Sequence, residues 1–381
     1  ELVRGDFLAL TKERIKNPEL LCDGIKKTLL NRYFESVKDK SISLIEKART
    51  NTSMLFQALD TYDFDTTILR SSYNEGVWEG NTIFRIVNNI YEEEVKKLMI
   101  NLNYPKIINP ILKLSKEISD VEFEIEPEKE PYKQKYKLRH QDIYENGDHI
   151  NKLFLPIENG DIFEITDGTG KGYYILIGQE CDLMMREKGS RGSQFSTLAK
   201  INLMNKDQYV AELAKNNNYL ANKFELYYFE EGTTKVGIVS FLTTSNVDFN
   251  MLDLCVFNEE GESKLDITKQ FDTDLLSTSW ENRYKKIIKG CTSEAKKLDM
   301  LLSEIKARNL PATVRDPIVK SILPNLGIFS PIGKSDSYEN NIFNFGFRRV
   351  RRLKSFHAKY LLERYYRHLS RTAEPHDFAS N

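Results

Sequence analysis

The spacing of apolar residues changes twice along this chain of 381 residues. Over 1–117 they recur every three or four positions, which predicts helices. Between about 150 and 270 they alternate with polar residues, which predicts strands, and after Ser277 the helical spacing returns. The sequence therefore predicts an α+β protein with a helical domain at 1–117, an antiparallel β-barrel domain (SH3-like or similar) at 118–275, and a helical, basic region at 276–381.

The predicted helices have definite boundaries at several places. Asn17 followed by Pro18 predicts a helix start, because asparagine caps a first turn and proline lacks an amide that would stay unpaired there. A long apolar stripe over 280–305 predicts one extended helix. A last helix is predicted over about 353–370.

Six strands are predicted in the central region, each a short run rich in β-branched and aromatic residues. They are 161–166, 173–179, 197–204, 224–229, 236–241 and 252–257. The glycine-rich turn 166–172 joins the first two as a hairpin. It is not a Walker A phosphate loop, because Lys171 is followed by Gly172 and a strand, where that loop needs Ser or Thr and a helix. A short helix at 207–222 interrupts the strands.

Charge is distributed unevenly although the formal net charge is only −1. The segment 117–130 carries seven acids and one lysine between apolar residues, which predicts a charged edge strand or an ordered linker. A docking site for a basic partner is the functional alternative for this segment. The segment 344–371 carries nine basic residues and one acid.

The four cysteines argue for a cytoplasmic protein with reduced thiols. Cys22, Cys181, Cys255 and Cys291 are far apart and have apolar neighbours, so we expect them to be mostly buried. Their spacing does not fit a zinc site, and neither a metal nor a cofactor is predicted. No run of 18 apolar residues occurs, so the sequence predicts no membrane partner.

The exit of the second predicted strand is the first candidate site. Gln179, Glu180 and Asp182 stand there, followed by Arg186 and Arg191. In the catalytic interpretation Glu180 or Asp182 is a general base, and an arginine holds a phosphate or carboxylate. In the structural interpretation Asp182 caps the next turn and the arginines form surface ion pairs.

The basic C-terminal segment is the second candidate site, because its aromatic and basic residues alternate. Its five candidate binding residues are Arg348, Arg349, Arg351, Arg352 and Lys354. They would grip the backbone of a nucleic acid, with binding that weakens steeply as salt rises. The alternative is that the apolar stripe of this segment packs on the body of the protein and the arginines dock against the acids of 117–130 or 225–231.

Four short segments, at 156–163, 179–183, 252–258 and 349–353, carry a family resemblance. Together they resemble the output region of bacterial response-receiver-type proteins, which are encoded beside GHKL-type ATP-binding partners. That resemblance implies a signalling or defence component and a GHKL-type partner protein. The start Gly160-Asp-Ile also looks like the first strand of MazF/PemK-like ribonuclease barrels.

Together these patterns favour a cytoplasmic bacterial regulatory or effector module that acts by binding a partner protein or a nucleic acid. The alternative is a nuclease that uses the acids at the rim of the barrel. A lysine or histidine close to Glu180 and Asp182 in a deep cleft would favour the nuclease, whereas exposed, contiguous arginines would favour nucleic-acid binding.

Overall fold

A computed structural model describes most of the chain. The described residues are 15–75, 79–101, 131–167, 170–216, 219–230, 235–314 and 337–370, with single positions at 106, 109, 113 and 317. They belong to two compact units, one within residues 1–127 and the other within residues 128–381. The predicted acidic segment 117–130 lies outside the described residues.

The first unit is helical, as the apolar spacing predicts. Its elements are α1 (Pro18–Gln57), α2 (Thr61–Phe64), a π-helical turn (Asp65–Leu69), α3 (Arg70–Glu75) and α4 (Glu79–Asn101). The predicted cap is confirmed, because the side chain of Asn17 accepts a hydrogen bond from the amide of Glu19 at 3.0 Å. Helices α1 and α4 pack together, and the Asn51 amide of α1 donates to the Glu94 carboxylate of α4 at 2.9 Å.

The second unit is a sheet with helices on both faces. Its helices are α5 (Pro131–Ile143), α6 (Gly147–Lys152), α7 (Glu180–Leu183), α8 (Lys206–Lys215), α9 (Phe249–Leu254), α10 (Thr278–Ala307) and α11 (Ser355–Leu369). Its strands are β1 (Tyr144–Asn146), β2 (Asp161–Asp167), β3 (Gly170–Ile177), β4 (Phe195–Met204), β5 (Lys223–Leu226), β6 (Val236–Asp248), β7 (Glu262–Asp266), β8 (Ser337–Glu339) and β9 (Ile342–Leu353). Short 3-10 turns stand at Cys255–Phe257 and Thr273–Leu275.

All strand pairs are antiparallel, in the order β1-β9-β2-β3-β4-β6-β5, and β7 and β8 also pair with β9. The sheet is curled. The predicted combination of helices with an antiparallel sheet is thus confirmed, whereas closure into an SH3-like barrel stays a prediction. The predicted β2–β3 hairpin is also confirmed, with Ile162 opposite Ile175.

Successive side chains of each strand face opposite sides of the sheet, so the strands contribute to two hydrophobic cores, one on each face. Phe163 and Leu176 point to the face covered by α9 and α10, where Trp280 is 2% exposed. Ile162 and Ile175 point to the opposite face, which α11 covers through Leu361 and its neighbours. Because successive side chains of a strand face opposite sides, one sheet supports both layers.

The strand predicted at 252–257 is wrong. The chain there forms α9 and a 3-10 turn, and the Asp248 side chain caps α9 by accepting the Asn250 amide at 2.7 Å. All residues from Met251 to Phe257 are buried. A short continuous apolar run fits a strand or a helix that is buried on every side, so the apolar pattern alone does not separate them.

Strand β9 lies inside the region predicted to be helical. It pairs with β1, β2, β7 and β8, so it holds the sheet together. The sequence carries its signal, because Phe343, Phe345 and Phe347 are buried while Asn344 and Arg348 between and beside them are exposed. The predicted regions 118–275 and 276–381 therefore share one sheet.

Candidate functional site

The strand exit forms an exposed surface. Gln179 precedes the four-residue helix α7, and Gln179, Glu180 and Asp182 are all exposed. Lys359 of α11 pairs with Glu180, with 3.6 Å between its Nζ and a carboxylate oxygen. The side chains of Lys359 and Glu180 are 64% and 72% exposed, so this pair lies in open solvent and the lysine does not reach the acids within a cleft.

The two arginines after the exit lie in different environments. Arg186 is exposed and pairs through its backbone with Ser190. The Arg191 side chain is 2% exposed and donates to both carboxylate oxygens of Asp253, at 2.5 and 2.6 Å. Its guanidinium also lies over the ring of Phe249, 4.5 Å from the centroid. Arg191 therefore anchors the chain internally, and the predicted surface ion pair is wrong.

The prediction that the cysteines are mostly buried holds for two of the four. Cys255 and Cys291 are buried, and desolvation raises the pKa of each thiol to about 12. Cys22 and Cys181 are exposed. For Cys181 the reason is that the strand ends at Ile177, so the residue lies on exposed α7 instead of in the sheet.

Two arginines of β9 are core residues. Arg352 donates to Asp161 at 2.6 Å and lies 2.9 Å from the Glu158 carboxylate. Burial lowers the pKa of the Arg352 guanidinium, but Asp161 and Glu158 outweigh it, so the pKa is raised overall. Arg349 is 1% exposed and donates to the Asn151 side chain at 2.7 Å and to the Leu155 carbonyl at 2.9 Å.

The other three predicted residues lie in different environments. Arg351 donates to the Phe229 carbonyl and stacks on that ring, 4.7 Å from its centroid. Arg348 and Lys354 are exposed. Of the five predicted residues, therefore, two face solvent, and the buried ones cannot contact phosphates. Asp161 and Glu158 hold the Arg352 guanidinium, whereas Arg351 lies against the segment 225–231, where it contacts Phe229.

A basic concavity lies elsewhere on the second unit, between α10 and the loop that follows α7. It measures about 380 Å³ and is lined by Lys188, Asn282, Lys285, Lys286 and Lys289. We call it the lysine concavity. Four of its five lining residues are cations, so positive charge from two separate segments meets on one shallow, open part of the surface.

The amphipathic character of α10 places three of these lysines. Trp280, Tyr284, Ile287 and Cys291 are buried on the sheet side of the helix. The three lysines of α10 lie between these positions and point to solvent, because residues three or four apart share a face. The repeated lysines at 285, 286 and 289 were the available sequence signal, but a charged helix face is common and is ordinarily only solvated.

The fourth lysine comes from the loop, which packs tightly on α10. At Gly189, where φ is +64°, a Cβ atom would lie 2.5 Å from the Arg283 amide nitrogen and 2.6 Å from the Asn282 carbonyl carbon. The Asn282 side-chain amide donates to the Glu187 carbonyl at 2.9 Å. Glycine therefore permits the contact that brings Lys188 beside α10.

Three of the four lysines of the concavity form no ion pair within the described residues, so their charge is available to a ligand. Lys285 pairs with Glu281 at 2.5 Å on the same helix. Within the described ranges, no ion pair engages Lys188, Lys286 or Lys289. The lining itself therefore holds four lysines and no acid, and the acids Glu281 and Glu187 lie beside it.

The described residues lack two features that would indicate a particular chemistry or location. No three His, Cys, Asp or Glu side chains in the described part of the chain stand close enough to ligate a metal ion. None of the helices described there has the length and apolar character that crossing a bilayer requires. Comparisons of this chain with family models, with curated proteins and with solved structures found no match.

Proposed function

We propose that this protein is a binding module whose ligand is a nucleic acid, held through its phosphates by the lysine concavity. The observation that carries the proposal is the group of exposed lysines Lys188, Lys286 and Lys289, which have no acidic partner among the described residues. Ammonium groups bind phosphates as point charges and release the counterions condensed on them.

The concavity replaces the arginines of β9 as the basis of this proposal. Arg349 and Arg352 are occupied by core acids and carbonyls, whereas the lysines need only desolvate their ammonium groups in part. Lys188, Lys286 and Lys289 are exposed and form no ion pair among the described residues, so a phosphate can reach them without breaking an existing one.

Binding can be measured by fluorescence anisotropy with a labelled duplex of about 20 base pairs at about 50 and 200 mM salt. We expect salt-sensitive binding by the intact protein. Replacing Lys286 and Lys289 by Gln removes two phosphate contacts, so it should weaken binding about tenfold at low salt and reduce the salt slope by about two.

The matched control removes the same charge outside the concavity. Lys264 on β7 and Lys306 at the end of α10 are both exposed, so the Lys264→Gln, Lys306→Gln variant should bind like the unchanged protein. The proposal fails if the intact protein shows no salt-sensitive binding, or if both double variants lose affinity equally, since that would mean diffuse attraction.

The other functions predicted from the sequence keep a weaker basis. Glu180 and Asp182 as nuclease residues lie on an open surface, where Lys359 pairs with Glu180 in solvent. A partner protein would find exposed apolar side chains on α1, where Ile25, Leu29 and Tyr33 recur at helical spacing. Neither surface brings exposed cations from two segments together, as the lysine concavity does.

A further inference from the structure

We infer that the lysine concavity recognises a run of adjacent phosphates and makes no contact with bases. This inference rests on the proposed function and specifies the ligand chemistry of the same site. It predicts that a free inorganic polyphosphate and a nucleic-acid backbone of any sequence compete for the same lysines.

The spacing of the lysines defines the ligand. Lys285 and Lys289 are one turn apart, about 6 Å along the helix axis, and Lys286 is adjacent. Lys188 faces them from the loop. Three lysines within about one turn of α10, with a fourth on the facing loop, suit a ligand that carries several linked negative charges, which adjacent phosphates provide and isolated carboxylates do not.

The lining of the concavity favours phosphates over bases. Its described lining residues include no aromatic side chain on which a base could stack. The one amide side chain, Asn282, already donates to the Glu187 carbonyl. Lysine donates only, from a freely rotating head group, so it favours charge over hydrogen-bond pattern.

The loop half of the site is fixed before any ligand binds. Arg191 ties the loop to Asp253, which is 0% exposed and also accepts from Arg283 of α10 at 2.7 Å. At Gly189 the backbone of the loop contacts the backbone of α10 closely. Since Lys188 lies within this anchored loop, its backbone loses little conformational entropy when a ligand binds, which favours binding.

The test is a competition experiment with the full chain and a labelled single strand of about 20 nucleotides. Unlabelled competitors are oligodeoxythymidine, oligodeoxyadenosine, a mixed-sequence duplex, sodium tripolyphosphate and orthophosphate, all at equal ionic strength. We expect the single strands to compete within about threefold of each other, because backbone contacts carry no sequence information. Tripolyphosphate should displace the label, and orthophosphate at the same phosphate concentration should not.

The variants link these results to the site. The Lys286→Gln, Lys289→Gln protein should lose affinity for tripolyphosphate and for nucleic acid by similar factors, and the Lys264→Gln, Lys306→Gln control should lose neither. If nucleic acid binds but tripolyphosphate does not displace it, or if sequence changes affinity about tenfold or more, this inference is overturned while the proposed function stands.

The reverse outcome is equally informative. Direct binding of tripolyphosphate, measured by calorimetry and lost in the Lys286→Gln, Lys289→Gln protein, with no binding of nucleic acid, would support the phosphate inference and overturn the proposed function. Binding of neither ligand would overturn both.

Discussion

At the scale of single residues, Asp161 should be among the most sensitive positions in the second unit. It is 0% exposed, accepts from Arg352 at 2.6 Å and lies 3.6 Å from the Arg349 guanidinium. Asp161→Asn keeps the shape but removes the buried carboxylate that Arg349 and Arg352 share, and leaves Arg352 only the half-exposed Glu158, which should lower the free energy of unfolding by about 3–5 kcal/mol. Urea denaturation followed by circular dichroism measures this loss.

A matched control is available in the same network. Glu158 contacts Arg352 at 2.9 Å, but its side chain is 50% exposed, so Glu158→Gln should cost at most about 1 kcal/mol. Equal losses for Asp161→Asn and Glu158→Gln would contradict the view that burial makes Asp161 decisive.

For the arginines of β9, the sequence showed the charge but could not predict the distant residues that pair with it. Their charge and their alternation with aromatic residues were visible, but their partners were not. Arg352 finds Asp161 at a separation of 191 residues, and whether a cation is buried depends on such distant pairing. Local charge therefore predicted a nucleic-acid surface where the fold places core ion pairs.

At the scale of elements, the loop after α7 depends on one glycine. Gly189→Ala should strain the left-handed backbone and push the loop off α10, because the added Cβ would overlap the Asn282–Arg283 backbone. We expect a loss of about 2 kcal/mol in unfolding free energy. We also expect weaker nucleic-acid binding by the folded variant, as Lys188 is displaced. Urea denaturation and fluorescence anisotropy measure the two effects.

Gly290 provides the comparison for that experiment. It lies in α10, and a Cβ there would meet nothing within 4 Å. Gly290→Ala should therefore keep full binding and raise stability by up to about 1 kcal/mol, since alanine favours the helix. If the contact between Gly189 and α10 did not matter, Gly189→Ala and Gly290→Ala would show the same stability and the same affinity for nucleic acid.

Elements whose buried residues recur at a clear helical or strand spacing could be predicted from the sequence, and elements without such a spacing could not. The stripe of α10 and the alternation of β2 and β3 specified their type, because the buried positions recur at the spacing of each element. All residues of the run 252–257 are buried, so its apolar residues show neither helical nor strand spacing. The chain there forms the end of α9 and a 3-10 turn. In β9 the alternation was present, but its arginines obscured it.

At the scale of the whole molecule, the division into two units separates the proposed site from the N-terminal helices. The sheet, both of its helical layers and the lysine concavity all belong to residues 128–381. A unit with its own core should fold alone. A fragment comprising 128–381 should therefore unfold cooperatively in urea and retain the salt-dependent binding of nucleic acid expected of the full chain.

The complementary fragment 1–127 is the control for that prediction, because it lacks the proposed binding site. It contains α1–α4 but none of the lysines of the concavity, so it should not bind nucleic acid even where it is helical by circular dichroism. If binding followed 1–127 instead, the site would lie among the N-terminal helices and the lysine concavity would be only a solvated surface. If 128–381 unfolded without a cooperative transition, its core would require the N-terminal residues, and the two units would be interdependent in stability.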